Sequence, residues 1–336
     1  GLSPEDAVIL HAFLEDHVDI EDLEVSETYF AKEAVHYTAF RSDPTSVHDT
    51  PKSYARTFAP PPLGTQAVFP TECRRNIISS IEGRITKPQQ NTPRLTDKHF
   101  RWASEFVQCV VPDRLVGAGQ PLSFDETVDR QNKPNQRLRN AQRLFDVSEK
   151  FVVRAFQKRE AYNVCNDPRN ISQVPTLHTI GLSAYTYVFK AAVLMPLPWV
   201  MVGRTPETIA ERIRNLASRC TRLISTDFSR FDGHINQFLR ENVEFACFKR
   251  YFSDSCQDEL RTVLRRELNA KATSGGITYD PGCSRLSGSP LTSDGNTLIN
   301  GFTQFATYRM CGYGVQESFD MIGAICGDDA IALGLP

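Results

Sequence analysis

The sequence lacks the features that mark several common classes of protein. Its charged side chains nearly balance, at a net charge of −2, so any nucleic-acid contact must come from a local groove rather than from overall basicity. No apolar run approaches the roughly 20 residues needed to cross a bilayer, and the first residues lack the order of a signal peptide. Repeats and low-complexity tracts are also absent. What is left is a globular chain of 336 residues, long enough for two or three subdomains.

Cysteine is present without a pattern. The nine cysteines form no C-x-x-C pair and have no regular spacing, unlike those of a disulfide framework or a zinc site. We therefore expect reduced, buried thiols in a cytosolic protein. The chain also has no initiator methionine and stops within an apolar stretch, which predicts a segment of a longer polypeptide.

Local patterns in the first half are weak. Residues 1–40 are acidic with helical periodicity, whereas residues 41–100 are punctuated by prolines and predict short strands, loops or a linker. Helical periodicity returns over 98–165, together with a run of lysines and arginines that is more often a solvated helix face than a binding surface.

The second half has clearer patterns. Thr205 is predicted to cap a helix over 206–219, a strand over 221–227 follows, and the periodicity then turns helical again. A helix is predicted over 292–310. The two apolar runs around Gly327 describe a buried β-hairpin with acids at its tip.

Aspartates stand at two of these predicted turns. Asp227 ends the strand, with Asp232 five positions on, and Asp328 and Asp329 form the hairpin tip. Each group is weak alone, because aspartate favours caps and turns. Adjacent carboxylates at a buried tip would repel each other unless cations neutralised them, and such oxygen ligands suit Mg²⁺ or Mn²⁺. If the two turns are neighbours, Asp227, Asp328 and Asp329 are enough to hold two Mg²⁺ ions, the arrangement used in phosphoryl transfer.

A third cluster has the most specific spacing. It comprises Ser287, Gly288, Thr292 and Asn296, just ahead of and within the predicted helix. Gly288 would let the loop approach a backbone or a base closely, and residues four apart share a helical face. A helix start capped by Ser or Thr remains the plainer alternative.

In this order the three clusters resemble motifs A, B and C of the RNA polymerases of positive-strand RNA viruses. The patterns D-x4-D, S-G-x3-T-x3-N and G-D-D are all met without substitution. The resemblance implies that Asp227 and Asp328 bind metal, with Asp329 as an auxiliary ligand. It further implies a nucleotide site made by Ser287, Gly288, Thr292, Asn296 and Asp232, in which the last two and Thr292 read the ribose 2′-hydroxyl. A site built to bond that hydroxyl penalises its absence, so RNA substrates are expected.

Upstream, "FQKREAYNVCNDPRNIS" resembles motif F, whose basic residues clamp the triphosphate. That implies phosphate contacts for Lys158, Arg159 and Arg169, side chains whose chemistry suits the task. "KPNQRLRNAQ", "GRTPETIAERI", "TDFSRFDGHI" and "YDPGCSRLSGSP" are similar to the nodavirus (alphanodavirus-like) replicases.

The resemblance implies an α+β right-hand polymerase without its thumb. Its palm would be a small antiparallel, RRM-like sheet backed by helices, and its fingers mostly helical. We expect an N-terminal connection over 1–97, fingers over 98–225, and a palm over 226–336 with a fingers-type insertion at about 245–285.

The expected function is template-directed RNA synthesis by an RNA-dependent RNA polymerase, with two Mg²⁺ ions that Mn²⁺ can replace. The expected partners are template RNA, nascent RNA and NTPs. The protein is expected in the host cytoplasm, at membrane-bound replication complexes reached through regions outside this chain, and as a homo-oligomer.

Two alternatives stay open. A reverse transcriptase would also place acids on a strand and a hairpin, but its pattern has an aromatic near the second motif A position and a Tyr-x-Asp-Asp turn, where this chain has Asp232 and Cys326-Gly327. A polymerase-derived fragment that only binds RNA is the other.

Overall fold

The computed structural model describes residues 23–25, 38–40, 55–58, 67–91, 94–143, 150–162 and 165–334. The described strands are β1 Leu23–Val25, β2 Thr38–Phe40, β3 Ala55–Phe58, β4 Ala67–Pro70, β5 Val153–Gln157, β6 Asn170–Gln173, β7 Leu223–Thr226, β8 Ala272–Ser274, β9 Ile277–Tyr279, β10 Ala324–Cys326 and β11 Asp329–Leu333.

The described α-helices are α1 Arg74–Ile81, α2 Lys87–Gln90, α3 Asp97–Val110, α4 Phe124–Arg130, α5 Pro134–Arg143, α6 Thr176–Phe189, α7 Pro206–Ala217, α8 Phe231–His234, α9 Phe245–Tyr251, α10 Gln257–Arg265, α11 Thr292–Met310 and α12 Val315–Asp320. Turns of π-helix cover Glu82–Thr86, Lys190–Leu194 and Leu239–Glu244, and 3₁₀ turns cover Asp113–Leu115 and Asp254–Cys256. Within the described part of the chain, no helix combines the length and apolarity that a membrane span requires.

The chain divides into two compact units, each assembled from separated stretches. The first unit contains Gly1–Arg84, Ala155–Ile171 and Ser274–Gly276, and the second contains Ile85–Arg154, Ser172–Thr273 and Ile277–Pro336. The boundaries of fingers and palm that the sequence suggests stay a prediction.

The described residues of the first unit include short antiparallel strand pairs and helix α1. Strand β1 pairs with β2, β3 pairs with β4, and Val68 forms a further bridge with Tyr162. Ser79 donates a hydrogen bond of 2.6 Å to the Asp167 carboxylate, and Arg84 donates to the Asp167 carbonyl. These contacts tie residues 155–171 to helix α1.

A three-stranded antiparallel sheet organises the second unit, in the order β10-β11-β7. Helices α7 and α11 pack on it, and Leu216, Tyr308, Ala324 and Leu333 form a buried cluster between them. Alternating apolar residues on the strands supply the sheet side of that cluster. The predicted small antiparallel sheet backed by helices is confirmed.

Aromatic side chains fill the main core of the second unit. Phe106 is fully buried and its ring lies 5.7 Å from that of Phe302, centroid to centroid. Trp102 is buried as well. Gly301 leaves room for the Trp199 ring, because a Cβ there would lie 2.9 Å from it. Trp102 and Phe106 are therefore core residues.

The clearest local predictions match the structure. Thr205 caps α7, accepting a hydrogen bond of 3.4 Å from the Thr208 backbone. Helix α11 spans Thr292–Met310, and the C-terminal hairpin forms as expected. The α7 segment carries both a capping residue and an apolar period, so its local and tertiary preferences agree.

The prediction of strands and loops over 41–100 is wrong between residues 74 and 90, where the chain is helical. Asn76 donates its backbone N–H to the Cys73 sulfur, which caps α1, and Pro88 occupies one of the first two positions of α2. Proline is tolerated there because those N–H groups have no partner within a helix.

The helix predicted over 1–40 lies mostly outside the described residues. Where that stretch is described, Leu23–Val25 and Thr38–Phe40 form an antiparallel pair instead of a helix.

None of the nine cysteines is paired in a disulfide, as expected, but only Cys247 and Cys256 are buried. Burial, followed by the charge of Glu244, raises the pKa of Cys247. The expectation of generally buried thiols is wrong, since Cys165, Cys311 and Cys326 are exposed.

Candidate active site

The end of strand β7 and the tip of the β10–β11 hairpin lie at the same end of one sheet. Thr226 is opposite Ala330 and Cys326 is opposite Asp329 in the strand register. Asp227 follows Thr226, one step beyond the last pair, which puts its backbone across from Asp329. Residues facing each other in an antiparallel pair have Cα atoms about 5 Å apart. Sheet pairing thus brings together backbone positions that are 102 residues apart in the chain, 227 and 329.

The three carboxylates are exposed, and the expectation that the tip is buried is wrong. Asp227, Asp328 and Asp329 are all exposed, whereas the neighbouring Gly327 and Ala330 are buried. The negative field of the tip is felt at Cys326, whose thiol pKa is raised by partial burial and then by the charges of Asp329 and Asp328. Water screens the acids here, so the case for a cation rests on their number and proximity and not on desolvation.

The donor set fits a hard divalent cation, because all three side chains offer carboxylate oxygens from adjoining backbone positions. Among the described residues, no three His, Cys, Asp or Glu side chains are already arranged around a common point that could hold an ion. The roles of Asp227, Asp328 and Asp329 as metal ligands stay a prediction.

The backbone of the tip is held by helix α11. Gly327 has a φ of 70°, which the turn requires and a glycine tolerates. Its N–H donates to the Thr297 hydroxyl at 2.9 Å, and the Asn300 amide donates to the carbonyls of Gly327 and Asp328 at 3.2 and 3.0 Å. Thr297 and Asn300 were missed from the sequence, although their spacing of three puts them on one face of a predicted helix.

Asp232 and Asn296 form a hydrogen-bonded pair. The chain turns through Arg230 in the left-handed region and enters the short helix α8, where Asp232 is half-buried. The Asn296 amide donates to the Asp232 carboxylate at 2.8 Å. Burial raises the pKa of Asp232, while the Asn296 hydrogen bond and the positive charge of Arg285 act against that rise. These two members of the predicted ribose site are brought together.

Gly288 makes the close approach expected of it, to a backbone. Its N–H donates to the Ser172 carbonyl at 3.1 Å, and the Ser287 hydroxyl accepts from the Ser172 N–H at 3.0 Å. A Cβ on Gly288 would lie 2.5 Å from the Ser172 carbonyl oxygen. The loop before α11 is therefore fixed against residue 172 by both residues of its Ser-Gly pair.

Thr292 has a local partner. Its hydroxyl donates to the Leu286 carbonyl at 2.9 Å, which closes the loop over the first turn of α11. Only the acceptor side of that hydroxyl is left for a ligand. A role in reading ribose stays a prediction for Thr292. The plainer alternative, a helix start capped by Ser or Thr, is wrong, because the N-cap position is Leu291 and no side chain caps the helix.

Gln89 is a third residue that the sequence did not point to. Its amide donates to the carbonyls of Gly233 and Ile235 at 2.6 and 2.8 Å, and its oxygen accepts from the Cys283 N–H at 3.0 Å. It thereby links the segment of Asp232 to the loop that leads to α11. No local pattern could reveal a bridge over such sequence distances.

The three cations of the predicted motif F lie in the first unit. Lys158 and Arg169 both pair with Glu160, at 2.8 and 3.2 Å, and Arg159 lies 3.4 Å from Glu72 on the surface. Burial alone would raise the pKa of Glu160, but hydrogen bonds from Lys158 and Tyr162 and the charge of Arg169 lower it. Lys158 and Arg169 remain partly exposed, so phosphate oxygens can compete with Glu160 for them, and Arg159 is exposed beside Glu72.

Comparison with known proteins identifies relatives of the chain. Residues 186–333 match the family described as viral RNA-dependent RNA polymerase. The RNA-directed RNA polymerase of Striped jack nervous necrosis virus is 42% identical over 99% of this chain and 34% of its own length. That of Greasy grouper nervous necrosis virus is 44% identical over 88% of this chain and 30% of its own length. The chain therefore spans about a third of the length of these relatives.

A solved structure shares the fold. The RNA-dependent RNA polymerase of a human picorbirnavirus has a TM-score of 0.58 and 17% sequence identity, over 86% of this chain and 58% of that one. The right-hand polymerase fold is thus shown for the chain.

Proposed function

Because the chain belongs to the viral RNA-dependent RNA polymerases, we propose that it carries the nucleotidyl-transfer centre of a nodavirus-like enzyme that copies RNA from an RNA template. The observation that supports this most is the strand register, in which Thr226, the residue before Asp227, pairs with Ala330, the residue after Asp329. Template RNA, nascent RNA and NTPs are the corresponding partners.

In this proposal Asp227 and Asp328, with Asp329 as an auxiliary ligand, hold two Mg²⁺ ions that Mn²⁺ can replace. Ions bound there would activate a 3′-hydroxyl and stabilise the charge that develops on the leaving phosphates. The Thr297 and Asn300 side chains keep the tip backbone in place, so the carboxylates need little reorganisation when the reaction occurs.

Asp232 and Asn296 are proposed to bind the ribose 2′-hydroxyl, alongside the loop of Ser287 and Gly288 and the Thr292 hydroxyl. The pair of half-buried Asp232 and buried Asn296 has hydrogen-bonding capacity left that a ribose can satisfy and a deoxyribose cannot. This preference favours a ribonucleotide polymerase over a reverse transcriptase.

Lys158, Arg159 and Arg169 are proposed to bind the substrate triphosphate. Their support is the motif, the partial exposure of Lys158 and Arg169 beside Glu160, and the exposure of Arg159. An unchanged KM for NTP in a Lys158→Gln variant would exclude this role for Lys158.

We propose that the full-length protein works in the host cytoplasm at membrane-bound replication complexes, through regions outside this chain, and that it self-associates. The likeness to nodavirus polymerases is the only support. Recovery of the whole protein as a monomer in the soluble fraction of infected cells would contradict both points.

The test is Asp328→Asn in the full-length protein, in a primer-extension assay with NTP and with dNTP. We expect a loss on the order of 10³-fold in the rate of NTP incorporation, because the change removes a charged ligand from the centre. Binding of Mn²⁺ measured by calorimetry should weaken in parallel.

The matched control is Asp320→Asn, which removes the same charge from an exposed position at the end of α12. It should retain the full rate. Undiminished synthesis by Asp328→Asn would falsify the proposal, and wild-type protein that extends with NTP and dNTP equally well would remove the ribonucleotide preference.

A further inference from the structure

Behind Asn296 lies a buried chain of charged side chains that the polymerase motifs do not include. The side chains of Arg285, Glu244 and Arg240 have no exposed surface. Arg285 pairs with Glu244, and Glu244 accepts from Arg240 at 2.9 Å. Arg240 also lies 3.7 Å from Glu267, which pairs with His178 at 3.1 Å. Burying so many charges is costly unless they neutralise each other.

One end of this row of buried charged side chains contacts the predicted ribose site. The Arg285 Nε donates to the Asn296 Oδ1 at 2.9 Å, and the Arg285 backbone N–H donates to the Asp232 carbonyl at 2.9 Å. Burial would lower the pKa of Arg285, but the charge and hydrogen bond of Glu244, together with the charges of Glu267 and Asp232, raise that pKa. Arg285 therefore stays a cation in contact with both members of the pair.

This contact decides which way the Asn296 amide points. Arginine has donors and no acceptor, so only the amide oxygen can face Arg285. The amide nitrogen must then face Asp232, where it donates at 2.8 Å. A reversed amide would set N–H against N–H at Arg285 and oxygen against oxygen at Asp232.

A glycine next to Asn296 makes room for the same ion pair. A Cβ on Gly295 would overlap the Glu244 carboxylate and lie 2.9 Å from the Arg285 Cζ. Glycine in a helix interior lowers helix stability by about 1 kcal/mol relative to alanine. Helix α11 is therefore less stable at the residue that contacts the ion pair. Residue 295 is the second, independent indication that the pair is held against α11 beside Asn296.

We propose that Arg285, held by Glu244, is a positioning residue that sets the polarity of the Asn296–Asp232 pair and so the preference for ribonucleotides over deoxyribonucleotides. The inference depends on the proposed function, since it concerns the substrate that the same centre selects. Arg285 does not touch the reacting atoms; it orients the amide that reads the sugar.

Removing Arg285 alone would leave Glu244 with one fewer cation in the interior and could unfold the protein. The variant to test is therefore the double change Arg285→Gln with Glu244→Gln, which removes one charge of each sign. The matched control is Arg240→Gln with Glu267→Gln. It removes one positive and one negative charge from the same row of buried charged side chains and removes no contact to Asn296.

The measurement is kcat and KM for an NTP and for the matching dNTP in the full-length protein, with the midpoint of thermal unfolding for each variant. In the Arg285 and Glu244 double variant we expect kcat/KM for the NTP to fall about tenfold, the loss of one well-oriented hydrogen bond. The value for the dNTP should stay as it was, because no 2′-hydroxyl is read. The control should lower the unfolding midpoint similarly and keep the NTP to dNTP ratio.

Gly295→Ala gives a second test that changes no charge. The added methyl group should displace the Arg285–Glu244 pair and lower the same ratio, although alanine favours the helix. A ratio unchanged in both the double variant and Gly295→Ala would overturn the inference. So would an equal fall in the control, since that would mark a purely structural role.

Failure of the inference is distinguishable from failure of the proposed function. Wild-type protein that makes no RNA with Mg²⁺ or Mn²⁺ contradicts the proposed function. Wild-type protein that makes RNA, with variants that keep the wild-type ratio, contradicts the role of Arg285 alone.

Discussion

Two groups of acidic side chains in the second unit differ in their exposure to water and in whether a cation of the protein pairs with them. At the hairpin tip Asp227, Asp328 and Asp329 are exposed and have no salt bridge to a described cation. Under α11, Glu244 and Glu267 are buried and are neutralised by Arg240 and Arg285. Acids that water screens are free to bind a cation from solution, whereas acids that the protein neutralises itself can only shape their surroundings.

This contrast suggests a division of labour. The exposed acids are available to bind a cation, and the buried ion pairs hold the Asn296 side chain in its orientation. Removing an acidic side chain should therefore change stability in opposite directions at the hairpin tip and in the interior. The following substitutions test this, from the largest expected effect to the smallest.

The largest effect is expected for Glu244→Ala. It leaves Arg240 and Arg285 with too little negative charge in the interior, so the free energy of unfolding should fall by about 3–5 kcal/mol. Urea titration measures it. Glu241→Ala is the matched control, because Glu241 is part-exposed and lies 3.9 Å from Arg265, a kind of pair worth about 0–1 kcal/mol. Equal losses in both variants would mean that burial does not distinguish the two acids.

Thr297→Val should have an intermediate effect. Valine keeps the shape but leaves the buried Gly327 N–H without its acceptor, at a cost of about 1–3 kcal/mol. Native-state hydrogen exchange at the Gly327 amide should be faster. Thr303→Val on the same helix is the control, because the Thr303 hydroxyl bonds only to the Ile299 carbonyl of its own helix. Slow exchange at Gly327 in the Thr297 variant would show that the hairpin tip does not depend on α11.

The smallest effect on stability is expected for Asp328→Asn, the variant with the largest expected effect on catalysis. Its side chain is exposed and adjoins another acid, so thermal unfolding without divalent ions should keep its midpoint or shift slightly upward. A pronounced fall in that midpoint would mean that the Asp328 carboxylate contributes to stability, and that exposed and buried acids do not differ in this respect.

Capping residues and apolar periods predicted the elements that depend only on nearby residues. Thr205 and the apolar period after it predict α7, and the two apolar runs around Gly327 predict the hairpin. The helices between 74 and 90 were missed because prolines suggested breaks, although Pro88 sits where a helix accepts proline. The tip was expected to be buried because its flanking strands are apolar, yet a turn can leave a sheet and reach solvent.

Long-range partners could not be read in advance. Gln89 bonds to backbone groups around residues 233 and 283, and Arg285 meets Glu244 across 41 positions. Such pairings depend on how the elements pack, and no periodicity within a single segment encodes them.

By itself the sequence determined the order and spacing of the acidic, Ser-Gly and Gly-Asp-Asp clusters, and the helices and hairpin that carry them, because these depend on neighbours within a few residues. Tertiary structure alone decided that Asp227 lies across from Asp329, that the tip is exposed, and that Arg285 orients Asn296. The reason is that strand register and the neutralisation of buried charge are settled only when distant segments pack and water is excluded between them.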